Sequence, residues 1–162
     1  MKKIKWGVLG PGFIAHAFAE SFPNNDDCEL YAVGALNQEM ADKYAQKFNV
    51  PCSYGSYEEL IADEEVDVIY IATPTSVHHK YILECLKAKK HVLCEKTITM
   101  NAAQLEECIQ VAKENNVILT EGLTSVFEPV MYHMKKKIDS GMYGKLHFVT
   151  VTCGSCKDYD AN

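Results

Sequence analysis

Two glycines one residue apart, Gly10 and Gly12, stand where an apolar run at residues 4–9 gives way to residues with helical spacing. That junction constrains the chain more than any other feature. The run before it has the length and composition of a buried strand. After it, Phe13, Ile14, Ala17 and Phe18 recur at the spacing of one helix face. A strand that passes into a helix within three residues needs backbone freedom at the turn, which glycine has and other residues lack. The same order then repeats. Strands are predicted at 30–36, 66–72, 91–94 and 117–120, with a short one near Cys52. Helices are predicted at 13–22 (ended by Pro23-Asn24-Asn25), 38–48, 57–62, 77–88 and 101–115. A helix at 130–140, closed by Gly141, and a last strand at 146–153 follow.

Strands alternating with helices imply a parallel sheet covered on both faces, and the run at 66–72 is almost wholly β-branched or apolar, as such a strand should be. Right-handed crossovers make this an α/β fold with a doubly wound parallel sheet of Rossmann order, with 4–9 central and 30–36 and 66–72 beside it. Little chain follows 146–153, so the sequence reads as cut short. The expected organisation is a dinucleotide-binding domain over 1–120 and the truncated start of a second α/β domain over 121–162. The exposed edge of the last strand is expected to drive self-association.

Composition removes most other classes. The chain has 162 residues, 48% hydrophobic and 23% charged, which suits an ordinary globular domain and not a disordered one. All 16 basic residues are lysine, against 22 acids and a net charge of −6, so no nucleic-acid partner is expected. No apolar stretch approaches the roughly 20 residues of a membrane span. Lys2, Lys3 and Lys5 before an apolar run, with Ala17-Phe18-Ala19, imitate a secretion signal, but Gly7, Gly10, Pro11, Gly12 and His16 interrupt it. The 7 cysteines are odd in number and irregularly spaced, which fits reduced thiols and a cytoplasmic location.

Gly10, Gly12 and Ala15 satisfy G-x-G-x-x-G/A, the turn that cradles a dinucleotide pyrophosphate, although the same residues would also serve as a bare structural turn. An acid about 20 positions on should hold the ribose of NAD. The sequence there is Gly34-Ala35-Leu36-Asn37, without an acid, and there is no arginine for the extra phosphate of NADP. Asn37 can hydrogen-bond a ribose hydroxyl, and Lys43 is the nearest cation. The cofactor stays open between NAD and NADP and leans to NAD. His78 and His79 are adjacent, do not share a helix face, and lack further ligands at metal spacing, so no metal is expected. Cys153-Gly-Ser-Cys156 resembles a redox pair, but it ends a strand instead of opening a helix and is read as loop. Lys135-Lys136-Lys137 reads as a solvated helix face, and Lys96, taken alone, as a solvated charge after a strand.

Several segments then coincide in order: Trp6-Gly-Val-Leu-Gly-Pro-Gly-Phe-Ile-Ala15, Ile71-Ala-Thr-Pro-Thr-Ser-Val-His78, Lys90-His-Val-Leu-Cys-Glu-Lys-Thr97 and Glu121-Gly-Leu-Thr-Ser-Val-Phe-Glu-Pro129. The succession resembles the Gfo/Idh/MocA oxidoreductases over nearly the whole chain. The resemblance implies a Rossmann NAD(P)-binding domain followed by a C-terminal α/β domain. It further implies hydride transfer between a nicotinamide and a hydroxyl-bearing carbon of a sugar- or cyclitol-like substrate, and a homo-oligomer formed through the second domain. Carried over residue by residue, Gly10, Gly12, Phe13 and Ile14 would meet the pyrophosphate, and Leu36 and Asn37 would flank the adenosine ribose. Thr73, Pro74 and His78 would line the nicotinamide side. Glu95 and Lys96 stand for the family's E-K-P, whose lysine is the catalytic candidate. The chain departs from the pattern at Thr97 (proline), Thr75 (asparagine) and Val126 (arginine), and the family's second-domain catalytic residues would lie past Asn162. The chain alone is therefore expected to bind cofactor without turnover. A non-catalytic dinucleotide-binding or regulatory module is the alternative, and a methyltransferase with a similar turn a third reading.

Overall fold

β1 (Ile4–Leu9) lies inside the sheet, hydrogen-bonded on one side to β2 (Cys28–Gly34) and on the other to β4 (Val68–Ile71). The computed structural model describes residues 2–22 and 26–152. Beyond β2 lies β3 (Cys52–Tyr54); beyond β4 lie β5 (His91–Cys94) and then β6 (Leu119–Glu121), all parallel, in the order β3-β2-β1-β4-β5-β6. This is the doubly wound order expected from the sequence. Both edge strands are only 3 residues long, which limits the open backbone offered to another chain.

Helices α1 (Phe13–Ala19) and α2 (Gln38–Phe48) pack on one face. Helices α3 (Tyr57–Ala62), α4 (Thr75–Lys87) and α5 (Ala102–Asn115) pack on the other. Their ends are set by local chemistry. The side chains of Asn37, Ser56 and Asn101 accept from the backbone N–H of Met40, Glu59 and Gln104, each satisfying a donor that the first turn leaves open. Asn49 and Asn116 close α2 and α5 in the left-handed conformation.

Strand alternation divides the core. Leu9, Ile69, Ile71 and Val92 face α3–α5, while Val8, Val33 and Tyr70 face α1 and α2. Leu60 of α3 is fully buried and sits so close to the sheet that a Cβ on Gly7 or Gly34 would lie 2.9 Å from its side chain. Two strands thus carry glycine where α3 presses in.

By their contacts the residues form two units, Met1–Leu123 and Thr124–Asn162. The second contains a 3-10 turn (Thr124–Phe127) and α6 (Pro129–Asp139), on which Lys135 pairs with Asp139 at 2.9 Å. The strand expected at 146–153 is not formed over 146–152, which lie in neither helix nor strand, and Cys153 lies outside the described residues. Its alternating, β-branched pattern suits a pleated surface, but a strand exists only where a neighbour completes its ladder. The expected self-association through that edge loses its basis. The Cys153/Cys156 pair and the stop at residues 23–25 also fall outside the described residues. α1 ends at Ala19, before the expected residue 22, and β2 ends at Gly34, which leaves Leu36 and Asn37 beyond the strand. β4 is shorter than expected, and α4 begins two residues earlier, at Thr75.

Leu60→Ala should cost about 2–5 kcal/mol, the range for deleting a buried leucine that its surroundings cannot refill. Urea denaturation would show it as a lower midpoint with an unchanged slope.

Candidate functional site

Strand register sets Gly34, Leu9, Ile71, Cys94 and Glu121 side by side across five strands. The next residues leave the sheet level with one another, joined by backbone bonds. Gly10 N–H donates to Gly34 O (3.0 Å), Ala72 N–H to Leu9 O (2.9 Å), Glu95 N–H to Ile71 O (2.9 Å) and Gly122 N–H to Cys94 O (2.7 Å). In open α/β sheets, the crevice outside the carboxyl ends of the strands is where ligands bind. The residues singled out from the sequence fall along this row.

Gly10 and Gly12 have different reasons to be glycine. Gly10 has φ +93°, and a Cβ there would lie 2.9 Å from Thr73 Cγ2, so the fold itself requires glycine. Gly12 has an ordinary φ of −80°, and a Cβ would meet nothing nearer than Ala72 O at 3.9 Å. The protein has room for a side chain at Gly12 and carries none. Gly12 is the N-cap of α1, with no side-chain cap and no acid in the first turn, and Phe13 and Ile14 beside it are exposed. Beside Gly10, the buried Thr73 hydroxyl has no hydrogen-bond partner. Open backbone, no repelling carboxylate and an unmet hydroxyl fit the pyrophosphate stretch of a dinucleotide. Among the described residues, the other buried side-chain atom without a partner is Trp6 Nε1, whose residue lines an apolar hollow of about 530 Å³ near the opposite, amino ends of the strands.

Leu36 is exposed just past β2. Asn37 Oδ1 is engaged in capping α2, which leaves its amide NH₂ as the group available to a hydroxyl. Lys43 of α2 is paired with Glu39 at 2.6 Å, so it already has a counter-charge.

On the far side of the row, Tyr70 donates its hydroxyl to Glu95 Oε1 at 2.6 Å while its ring stacks on Phe18 of α1 at 3.9 Å. Burial, and then the Glu95 carboxylate, push the Tyr70 phenol up, so it remains the donor. Gly122 fits close against Glu95, where its missing Cβ would lie 3.3 Å from Oε1. Lys96 and Pro74 are exposed. The Lys96–Thr97 peptide is cis. Glu121 Oε1 accepts from Ile98 N–H at 2.9 Å, tying the loop that carries Lys96 to the end of β6. His78 is enclosed, 1% exposed, with Nε2 2.8 Å from Thr73 O and Nδ1 2.9 Å from Thr97 O. It joins the two loops from inside and presents no free ring nitrogen to a ligand.

Tyr70 and the role of Glu121 escaped the sequence reading. A tyrosine among Val68, Ile69 and Ile71 carries one signal, a hydroxyl that must find a partner in a buried strand. That partner, on the neighbouring strand's loop, is set by register. Among the described residues no three His, Cys, Asp or Glu side chains gather as a metal set, and no helix is long and apolar enough to cross a membrane.

Residues 4–123 match the model of a family described as the Gfo/Idh/MocA oxidoreductase family, NAD-binding Rossmann fold. The chain is 38% identical over 154 residues to trans-1,2-dihydrobenzene-1,2-diol dehydrogenase of Mus musculus, covering 93% of this chain and 46% of that protein. It is 33% identical over 146 residues to myo-inositol 2-dehydrogenase of Thermotoga maritima, covering 90% of this chain and 44% of that one. The crystal structure of a 3-ketoreductase from Actinomadura kijaniata in complex with NADP superposes with a TM-score of 0.81 at 26% identity, over 89% of this chain and 46% of that chain. The chain therefore spans about half the length of the curated relatives it matches.

Glu121→Ala would leave the Ile98 N–H without its acceptor, a loss of about 1–3 kcal/mol for a part-buried donor. Hydrogen exchange at the Ile98 amide should then accelerate by at least about tenfold, with the amides of β1 unchanged.

Proposed function

The chain belongs to the Gfo/Idh/MocA oxidoreductases with the NAD-binding Rossmann fold, and from that premise we propose that it binds a nicotinamide dinucleotide across the carboxyl ends of its strands. We propose further that the protein moves a hydride between that cofactor and a hydroxyl-bearing carbon of a cyclic polyol or sugar. The observation that carries the reading is Gly12, a glycine that the surrounding protein does not need and a phosphate approaching the backbone does. The printed names of the relatives, a diol dehydrogenase and an inositol dehydrogenase, support the substrate class.

In this reading Gly10, Gly12, Phe13 and Ile14 present backbone to the pyrophosphate, and Leu36 and Asn37 flank the adenosine ribose. Thr73 and Pro74 border the nicotinamide, whose ring carbon, when the cofactor is bound, accepts or gives the hydride. Glu95 is held in one orientation by Tyr70. Lys96, exposed at the same end of the sheet, is the group to hydrogen-bond the substrate oxygen and to take or return its proton. Positioning by these fixed loops lowers the barrier by confining the reacting atoms.

NAD and NADP are both accommodated in this proposal. No arginine exists in the chain, Leu36 brings no charge, and Lys43 is already paired. Calorimetric titration of the chain with NADH and NADPH should give affinities within about a hundredfold of each other, roughly 2.7 kcal/mol. Gly12→Val should leave the chain folded, with a midpoint lowered only by the poorer N-cap of α1, about 1 kcal/mol, and lose binding of both. Undiminished binding by that variant would overturn the assignment.

A further inference from the structure

Tyr70 carries a hydroxyl that the core does not need. Its ring lies in β4 among Val68, Ile69 and Ile71, is 2% exposed, and stacks on Phe18 of α1 with centroids 3.9 Å apart. Phenylalanine would keep that stack without burying an oxygen. The hydroxyl donates to Glu95 Oε1 at 2.6 Å, so the buried oxygen is satisfied by a carboxylate that is itself half-buried. Replacing both members of such a pair by apolar groups of the same shape is close to neutral, or stabilising. Stability therefore does not explain the pair.

Its geometry has a direction. Glu95 is the first residue after β5, and β5 pairs with β4. Oε1 meets the Tyr70 hydroxyl and lies 3.3 Å from where a Cβ on Gly122 would stand, so the carboxylate is confined between the two. Oε2 turns back and accepts from the backbone N–H of Lys96 at 3.3 Å. The contacts form a short chain from the ring of Phe18, through the ring and hydroxyl of Tyr70 and the carboxylate of Glu95, to the amide of Lys96.

We propose that Tyr70 is a positioning residue of the hydride-transfer site, acting through Glu95 to tether the Lys96 backbone at the nicotinamide side of the crevice. The inference rests on the dinucleotide reading for its effect on ligands, whereas the tether itself does not. Without the hydroxyl, the half-buried Glu95 side chain can turn to solvent, and the Lys96 amide loses its acceptor. Tyr70→Phe deletes one oxygen and keeps the stack on Phe18, so α1 and the glycine turn before it keep their support. The loss should fall on the nicotinamide half of the dinucleotide and spare the adenosine and pyrophosphate.

The tests use the 162-residue chain. In the ligand-free parent, the Tyr70 hydroxyl proton should appear as a slowly exchanging resonance with a cross-peak to the Glu95 side chain. Its absence would overturn the tether without recourse to any variant. Carbon-13 relaxation should show the Glu95 side chain ordered in the parent and more mobile in Tyr70→Phe; equal mobility in both would also overturn it. The ligand measurement compares NADH with ADP-ribose, which keeps the adenosine and pyrophosphate and lacks the nicotinamide. Tyr70→Phe should weaken NADH by at least about fivefold while ADP-ribose stays within about twofold. Any other pattern, equal loss of both or loss of neither included, would overturn the proposal. A double-mutant cycle separates action through Glu95 from a packing role. In a chain already carrying Glu95→Ala, Tyr70→Phe should change NADH affinity by less than about twofold, whereas a packing role would carry the full loss into that background. A parent chain that binds neither ligand would instead refute the dinucleotide reading and leave the hydroxyl resonance and the relaxation data to decide the tether.

Discussion

The pairing of Leu9 with Gly34 on one side and Ile71 on the other fixes the level at which the sheet ends, and the site depends on that level. The β1–β2 ladder does not reach this register by simple counting. Trp6 pairs with Leu30 but Gly7 with Ala32, so one residue of β2 is skipped at Tyr31. Without that bulge Leu9 would stand beside Val33, and the faces of the upper half of β2 would exchange. Ala32 and Gly34 would then leave the side on which α3 packs, where their small size admits Leu60. The bulge, the two small residues and the buried leucine act as one device, and it brings the loops after β1, β2, β4, β5 and β6 out side by side.

Much of this was legible in the sequence, for reasons that differ by element. α2 and α3 have the predicted bounds because Asn37 and Ser56 cap them in plain sight and each apolar stripe is self-contained. β1 and β5 were legible because a glycine turn or a charged loop punctuates them. The segment at 146–152 misled because its alternating pattern is a statement about a partner, and among the described residues no strand pairs with it. The Tyr70–Glu95 and Glu121–Ile98 contacts were hidden for a related reason. Each joins residues more than 20 positions apart through the register of neighbouring strands, which no local pattern encodes. His78 was singled out by the family resemblance, as a residue of the nicotinamide side or an anchor of its loop; enclosed and within hydrogen-bond distance of Thr73 O and Thr97 O, it ties two loops together.

The glycines separate what the fold demands from what it does not. Gly7, Gly10 and Gly34 are explained by packing or by a positive φ. Gly12 is explained by neither, and the exposed Phe13, Pro74 and Lys96 bury nothing for the core. Features without a structural reason lie along one end of the sheet, the end at which register makes five loops level. Coincidence of unexplained residues with a geometrically defined crevice is a stronger argument than the glycine spacing alone, because the two come from independent observations.

Thr73 is where these arguments meet. Its methyl carbon lies against Gly10 and enforces the turn, its carbonyl faces the ring of His78, and its hydroxyl is buried without a partner. Two of its three groups are therefore used by the protein to join the glycine turn to the loop carrying Lys96. An unpaired buried hydroxyl is normally unfavourable by about 1–3 kcal/mol. Valine would keep much of the shape without that cost, so the methyl contact alone does not account for threonine. The residue makes physical sense when a polar ligand group or an ordered water reaches the hydroxyl, which lies in the crevice between the glycine turn and the loop that His78 ties down.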